Sequence, residues 1–188
     1  MMGADRSKDG PPAADCEKIA YRDATMDDRD ALVALGRASF DAAFGHLYRA
    51  EDLANFLHSA HSPEKVATQI TDRNVAYRLA LRGSRLIGYC KVVEGAQFGD
   101  HSDARRPIAL SQLYTDPSST GLGIGGALME WALEEARTRR KDAIQLSVWS
   151  ENEGAQRFYE RYGFTKIADI DFYVGDHRDD EFLYELRL

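Results

Sequence analysis

The stretch Ser118–Trp131, SSTGLGIGGALMEW, places four glycines in six positions directly before a run of helix-forming residues. Glycine tolerates the backbone angles of a tight turn, and the first turn of a helix leaves several peptide N–H groups without main-chain acceptors. Such groups bind anions, phosphates above all, and the helix dipole adds to the attraction. The stretch therefore predicts a phosphate-binding loop at the start of a helix.

Several interpretations compete for this loop. Gly121, Gly123 and Gly126 fit G-x-G-x-x-G, the fingerprint of dinucleotide-binding domains. That fold requires the first glycine almost directly after a strand and further parallel units downstream. Here residues 116–120 separate the strand from the glycines, and residues 127–188 end in predicted antiparallel strands. No Lys-Ser or Lys-Thr follows the glycines, which excludes a Walker A loop. Four glycines are also more than a simple turn requires. The loop is therefore favoured to bind another phosphorylated cofactor.

The segment Asn152–Phe164, NEGAQRFYERYGF, is the second candidate for chemistry. Asn152 is suited to cap a helix and Gly163 to end it. Helical spacing alone predicts that Tyr159 belongs to a packed aromatic face, although a phenol with an ordinary pKa of about 10 can also donate a proton in catalysis. Four residues share this face: Ala155, Phe158, Tyr159 and Tyr162.

Hydrophobic periodicity predicts the elements that position these two segments. The predicted helices are Met26–Phe44, Glu51–Ser59, a third from Ser62-Pro63 towards Asp72, about four turns after the glycines, and one capped by Asn152. The predicted strands are Lys18–Ala24, Val75–Leu81, Arg85–Val93, Ile108–Thr115, Ala143–Trp149, Phe164–Val174 and Phe182–Leu188, with a polar turn, GDHRDD, between the last two. Hairpins at both ends of one β-helix-β crossover predict an α/β (α+β) fold with a mixed, mostly antiparallel sheet of six to seven strands.

Composition sets the broad class. The 188 residues suit one domain, with residues 1–16 predicted as a disordered tail and residues 17–188 as the folded domain. No apolar run reaches the roughly 20 residues of a membrane span, and no signal peptide is apparent, so we expect a cytoplasmic protein without a membrane partner. A net charge of −7 argues against nucleic acid. Cys16 and Cys90 are too isolated to indicate a disulfide framework or a zinc site.

With these two motifs in place, residues 108–164 resemble the central half of the GNAT N-acetyltransferases, which bind acetyl-CoA. The family's loop pattern, Q/R-x-x-G-x-G/A, falls on residues 120–125, with Thr120 in place of the usual Gln or Arg. The second pattern, N-x-x-A-x-x-F-Y-x-x-x-G-F, matches residues 152–164. Within the family, QLYTDP and the closing FYVGDHRDDEFLYE are most similar to bacterial polyamine (spermidine/spermine) acetyltransferases.

The resemblance implies a GNAT-like fold, splayed at its two central strands, and a role for each motif. It implies that the pantetheine arm lies along the strand before the loop and that the amides of this strand donate hydrogen bonds to the oxyanion. It also implies that Tyr159 is the general acid. It implies acetyl-CoA as co-substrate. His58 and His61 are spaced to share a helical face as metal ligands, but no third ligand is spaced to complete a site, so no metal is expected. The implied cofactor-binding residues are Leu113, Tyr114, Thr115, Thr120, Gly121, Leu122, Gly123, Ile124, Gly125, Gly126, Asn152 and Tyr159.

Two parts of the site stay open at this level. The strand before the loop carries no glutamate to act as general base, so a water relay starting at Glu94 or His101 is a hypothesis, although each is better interpreted as a solvated loop residue. The expected acceptor is a small primary amine, with a polyamine favoured; the alternatives are a protein N-terminal or lysyl amine, or a non-catalytic acyl-CoA sensor. Relatives suggest a homodimer. Five acidic residues either attract a polycation or are ordinary surface charge: Asp41, Glu51, Asp52, Asp171 and Asp179.

Overall fold

A computed structural model describes residues 18–95, 97–99 and 101–188. The predicted tail, residues 1–16, and with it Cys16, lies outside the described residues. Within the described part, one mixed sheet has the strand order β1-β2-β3-β4-β5-β7-β6. Its strands are β1 (Ile19–Asp23), β2 (Val75–Arg82), β3 (Arg85–Glu94), β4 (Pro107–Thr115), β5 (Ala143–Trp149), β6 (Thr165–Val174) and β7 (His177–Arg187).

Five α-helices cover the sheet within the same described ranges. They are α1 (Arg29–Phe44), α2 (Ala50–Ala60), α3 (Pro63–Thr71), α4 (Ile124–Thr138) and α5 (Glu153–Arg161). The cap signals act as predicted: Thr25 and Asp28 form a capping box ahead of α1, and the Ser62 hydroxyl accepts a hydrogen bond from the Lys65 amide at the start of α3. None of the helices in these ranges is long and apolar enough to cross a membrane.

Each face of the sheet has its own core. On one face, α4 buries the stripe that its sequence predicts, with Leu128, Ala132 and Ala136 inaccessible to solvent. On the other face, Leu32 of α1 and Val66 of α3 pack against strands β2 and β3. Successive side chains of each strand point alternately to these two faces, so the position of a residue in its strand determines which face it lies on.

The final hairpin corrects the sequence prediction. GDHRDD was expected to be a polar turn, but the turn consists of Gly175 and Asp176, and β7 already begins at His177. Arg178 of β7 forms an ion pair with Asp171 of β6 across the hairpin, at 3.0 Å, and a second one with Asp180 of its own strand, at 2.8 Å. The extension lengthens β7, which lies between β5 and β6, and makes Asp179 a buried strand residue.

Candidate active site

Strands β4 and β5 separate along most of their length. They are parallel and pair over three positions, from Pro107 opposite Ala143 to Ala109 opposite Gln145. Beyond these positions neither strand pairs with the other, so each presents a free main-chain edge to a gap in the middle of the sheet. An extended chain with amide groups can add to such an edge as an extra strand.

A β-bulge in β4 changes which of its side chains face helices α1–α3. Lys91 of β3 pairs with Gln112 while Val92 pairs with Leu110, so Ser111 is an extra residue in β4. Bulges of this kind change which face a side chain serves. As a result Gln112 and Tyr114 face α1–α3, and Gln112 accepts a hydrogen bond of 3.2 Å from the Tyr89 hydroxyl.

The glycine loop delivers the N-terminus of α4 to the same end of β4. Gly121 and Gly123 have φ values of +79° and +74°, and Gly123 is the N-cap residue in the left-handed conformation. The first main-chain bond of the helix runs from the Ala127 amide to the Gly123 carbonyl at 3.0 Å. None of the N–H groups of residues 121–126 donates to an acceptor in the described part of the chain. Such unpaired N–H groups at the start of a helix are suited to bind an anion, and residues 121–126 are called the cradle below.

Close packing fixes the direction of α4. A side chain on Gly88 of β3 would place its Cβ 2.9 Å from Cγ2 of Ile124, so the absence of a side chain lets the first turn of α4 lie directly on the sheet. On the other side, a Cβ on Gly126 would lie 3.3 Å from the Tyr162 hydroxyl of the α5 end. The cradle is therefore held between β3 and α5.

Helix α5 brings Tyr159 to the gap. The Asn152 side chain caps this helix by accepting a 3.0 Å hydrogen bond from the Ala155 amide. Tyr159 packs between Phe158 and Phe164, with ring centroids 5.4 and 5.9 Å away. Its hydroxyl has no hydrogen-bond partner within the described residues, and the residue lines the central cavity. Burial raises the pKa of Tyr159, so the phenol is protonated at neutral pH.

The gap opens into a cavity of about 780 Å³ on the face covered by α1–α3. Aromatic rings enclose its outer end: Phe40 lies 4.6 Å from Phe56 between ring centroids, and Phe56 lies 5.6 Å from Phe172 of β6. Trp149 closes the β5 side of the cavity by packing against Phe44, with 6.0 Å between the ring centroids. A volume of this size, with apolar walls and a few polar groups, is typical of a small-molecule site.

Two carboxylates of β7 form an acidic side of the cavity. Asp179 is 6% exposed, accepts a hydrogen bond from the Tyr48 hydroxyl, and lies 3.2 Å from Nε2 of His177. Glu181 pairs with Trp149 across β5 and β7. Burial raises the pKa of Glu181; a hydrogen bond from Ser147 opposes this rise, and the charge of Asp179 adds to it.

A basic side lies across the gap, beyond β4. Lys91 of β3 and Lys65 of α3 both line the cavity, together with His61 and Gln69. Burial lowers the pKa of His61 to about 4, and the charges of Lys91, Arg37 and Lys65 lower it further, so this imidazole is neutral at physiological pH. Tyr114 lies between the two sides: its ring is 6.3 Å from that of His61, and burial, with the charge of Glu181, raises its pKa to about 12.

The structure brings most of the predicted residues together. Leu113, Tyr114, Thr115, Thr120, Asn152 and Tyr159 line the cavity. Residues 121–126 do not line it; they form the cradle at the neighbouring end of β4. The Thr120 hydroxyl donates to the Pro117 carbonyl at 3.2 Å, so it stabilises the loop itself.

The two starting points for a water relay lie elsewhere. Glu94 is paired with Arg139 at 2.6 Å and with Lys141, and neither Glu94 nor His101 lines the cavity. Glu181, Lys91 and Tyr48 were missed by sequence reasoning, and Asp179 was set among residues better interpreted as surface charge. Period-two alternation along a longer β7 was the signal that could have placed Asp179 and Glu181 on the inner face. Across the described ranges no group of His, Cys, Asp or Glu is arranged to hold a metal.

Comparisons with known proteins agree with this geometry. The model of the acetyltransferase (GNAT) family matches residues 39–164. An uncharacterized N-acetyltransferase in the pepI 3′ region of Lactobacillus delbrueckii subsp. lactis is 31% identical over 84% of this chain and 90% of its own length. The aminoalkylphosphonate N-acetyltransferase of Salmonella typhimurium is 32% identical over 77% of this chain and 84% of its own.

Among solved structures, the paiA N-acetyltransferase of Thermoplasma acidophilum in complex with coenzyme A has a TM-score of 0.74 at 22% identity. The superposition covers 91% of this chain and 99% of that one. The predicted GNAT-like fold, a mixed sheet flanked by helices and splayed at its two central strands, is therefore confirmed.

Proposed function

The chain belongs to the acetyltransferase (GNAT) family, and we propose that it transfers the acetyl group of acetyl-CoA to a small primary amine by direct attack on the thioester. The predicted class of enzyme, an N-acetyltransferase, is confirmed by this membership. One observation carries the rest of the proposal. The free edge of β4, the cradle of residues 121–126 and the Tyr159 hydroxyl all meet at the β4–β5 gap.

Coenzyme A fits this arrangement in two parts. The N–H groups of residues 121–126 receive the pyrophosphate at the start of α4, where the helix dipole favours negative charge. The pantetheine arm lies along Leu113, Tyr114 and Thr115 and pairs with their main chain as an added strand. Asn152 and Tyr159 flank the thioester end of the arm, because both line the cavity beside β5.

The chemistry needs a place for the negative charge that develops on the carbonyl oxygen and a proton for the leaving sulfur. The amides of residues 113–115 stabilise the oxyanion. Tyr159 donates its phenolic proton to the thiolate. A phenol with a raised pKa remains a competent donor here because burial raises thiol pKa values too, as the pKa of the Cys90 thiol shows.

Glu181 is the general base of this proposal. The amine arrives as an ammonium, and the Glu181 carboxylate takes one proton, directly or through one water, so that the nitrogen attacks the carbonyl carbon. The C–N bond forms, the C–S bond breaks, and Tyr159 protonates the sulfur. The second nitrogen proton returns through water to the Tyr159 phenolate, and the first leaves Glu181 for solvent. Its raised pKa makes Glu181 a stronger base than an ordinary glutamate.

A small acceptor is favoured over a peptide because aromatic rings of α1, α2 and β6 enclose the outer end of the cavity. The relative from Salmonella typhimurium is named for aminoalkylphosphonates, which are small amines. A polyamine acceptor, as the sequence patterns favoured, stays a prediction; its ammonium groups would meet Asp179 and Glu181. The alternatives of a protein N-terminal or lysyl amine and of a non-catalytic sensor, a cytoplasmic location and a homodimer also stay predictions.

Replacing Tyr159 by phenylalanine tests the proposal. We expect unchanged acetyl-CoA affinity by calorimetry and a fall in turnover of about 10- to 100-fold, because the variant keeps the ring and loses only the acid. Tyr173→Phe is the control, since Tyr173 is exposed on β6 and does not line the cavity. Free CoA release is measured with a panel of amines that includes spermidine and spermine.

Two results would overturn the proposal. Equal turnover of Tyr159→Phe and the wild type removes Tyr159 from the chemistry. Tight coenzyme A binding without acetylation of any amine in the panel, or of peptides with free N-termini and lysines, identifies a sensor instead of an enzyme.

A further inference from the structure

Lys91 is a buried positive charge that the chemistry above does not use. It lies on the central strand β3, is 5% exposed, and lines the cavity. Its Nζ stands 5.9 Å from the centre of the Tyr77 ring and has no hydrogen-bond acceptor within the described residues. Burying an ammonium without an acceptor is costly, so such groups are paired in the state in which the protein works.

The surroundings of Lys91 increase the positive potential instead of balancing it. Lys65 of α3 also lines the cavity. Burial, and to a smaller extent the charge of Lys65, lower the pKa of Lys91 to about 8. Gln69 and the neutral His61 complete this side. The cavity's two lining carboxylates, Asp179 and Glu181, lie on β7, which two intervening strands, β4 and β5, separate from β3. No carboxylate of the described residues makes an ion pair with Lys91.

The cofactor's own phosphates do not explain this charge. Lys91 faces the side of the sheet covered by α1–α3, since its Nζ lies over Tyr77 of the core on that side. The first residue of α4, Ile124, is buried in the core of the opposite face. The phosphate cradle and Lys91 therefore lie on opposite faces of the sheet.

We propose that the acceptor is an amine that also carries an anionic group, with Lys91 and Lys65 binding the anion while the amine lies at the β4–β5 gap within reach of Glu181. This inference rests on the proposed function and names its substrate class: a zwitterion with a primary amine and an oxyanion such as a carboxylate, sulfonate or phosphonate. Lys91 lies on β3, about 5 Å from the neighbouring strand β4 that borders the gap, so an anion at Lys91 and an amine at the gap can belong to one small molecule.

A series of amines with chains of two or three carbons tests the proposal by CoA release. 2-Aminoethylphosphonate, taurine and β-alanine carry different anions, ethylamine carries none, and 1,3-diaminopropane carries a second cation. We expect kcat/KM for at least one anionic amine to exceed that for ethylamine by about 10- to 100-fold, the range for a charge-assisted hydrogen bond in a buried site. The diamine is expected to be the poorest acceptor, because its second charge meets Lys91, and this result would also exclude the polyamine acceptor that the sequence patterns favoured.

Lys91→Met keeps the length of the side chain and removes the charge. We expect this variant to lose the preference for anionic amines and to bind acetyl-CoA as the wild type does. Lys18→Met, at an exposed position outside the cavity, is the control and is expected to keep the preference.

The outcomes separate the two levels of the argument. Acetylation of ethylamine and of the anionic amines at equal rates, or a preference that survives in Lys91→Met, overturns the anion site and leaves the acetyltransferase in place. Weakened acetyl-CoA binding in Lys91→Met assigns the charge to the cofactor and also overturns the inference. If no amine at all is acetylated, the proposed function itself is wrong.

Discussion

Lys91→Met is also expected to make the protein more stable at neutral pH. The ammonium is 5% exposed, and its pKa is lowered from 10.5 to about 8 by burial and by the charge of Lys65. A tenfold change in proton affinity is worth about 1.4 kcal/mol, so the charged side chain costs the folded state about 3 kcal/mol. Methionine removes this cost and keeps the apolar contacts of the lysine stem.

The pH dependence of the effect has a definite sign. The unfolded lysine titrates near 10.5 and the folded one near 8, so the unfolded state binds more protons between these values and wild-type stability rises with pH there. The advantage of Lys91→Met is therefore full below pH 8 and disappears as the pH approaches 10.5. The groups that face Lys91 are Tyr77 of β2, Gln112 of β4, and Lys65 and His61 from the α3 side; comparing variant and wild type at equal pH cancels their own titration.

Urea unfolding followed by circular dichroism measures this difference near pH 7 and near pH 10. In thermal unfolding near pH 7, a gain of about 3 kcal/mol corresponds to a rise in the midpoint temperature of roughly 6–12 °C for a chain of this size. Lys18→Met should stay within about 0.5 kcal/mol of the wild type, because Lys18 is exposed. A Lys91→Met variant that is no more stable than the wild type near pH 7, or an advantage that persists near pH 10, would refute the reasoning.

Two further predictions concern the chemistry and the cradle. Glu181→Gln should lower kcat about 100-fold or more and abolish the acidic limb of the kcat profile, which lies above the ordinary glutamate range because burial raises the pKa of Glu181; a profile unchanged in shape would exclude Glu181 as the base. Gly123→Ala should cost about 1–2 kcal/mol of stability from the φ of +74° alone, since a Cβ there meets nothing within 4 Å. The same variant should weaken coenzyme A binding about tenfold by turning the cradle amides; calorimetry that shows wild-type affinity would contradict the assigned cradle.

The site's local parts could be predicted from the sequence because each depends on neighbours along the chain. Four glycines before a helix determine the cradle, and the Asn152 cap and the aromatic spacing determine which face of α5 carries Tyr159. Alternation and turn residues placed the strands within a few positions. The turn before β7 was placed wrongly, because Arg178 pairs with Asp171 across the hairpin and with Asp180 along its own strand, and these pairs stabilise a charged strand that its composition does not favour.

The acceptor side of the cavity was decided only by the tertiary structure. Tyr48, Lys91 and the pair Asp179 and Glu181 come from three distant segments of the sequence, and each is an ordinary charged or polar residue within its own segment. The sheet order, the bulge at Ser111 and the separation of β4 from β5 place them around one cavity. Burial then raises the free energy of each charge, and burial is a property of the assembled layers that no short stretch of sequence contains.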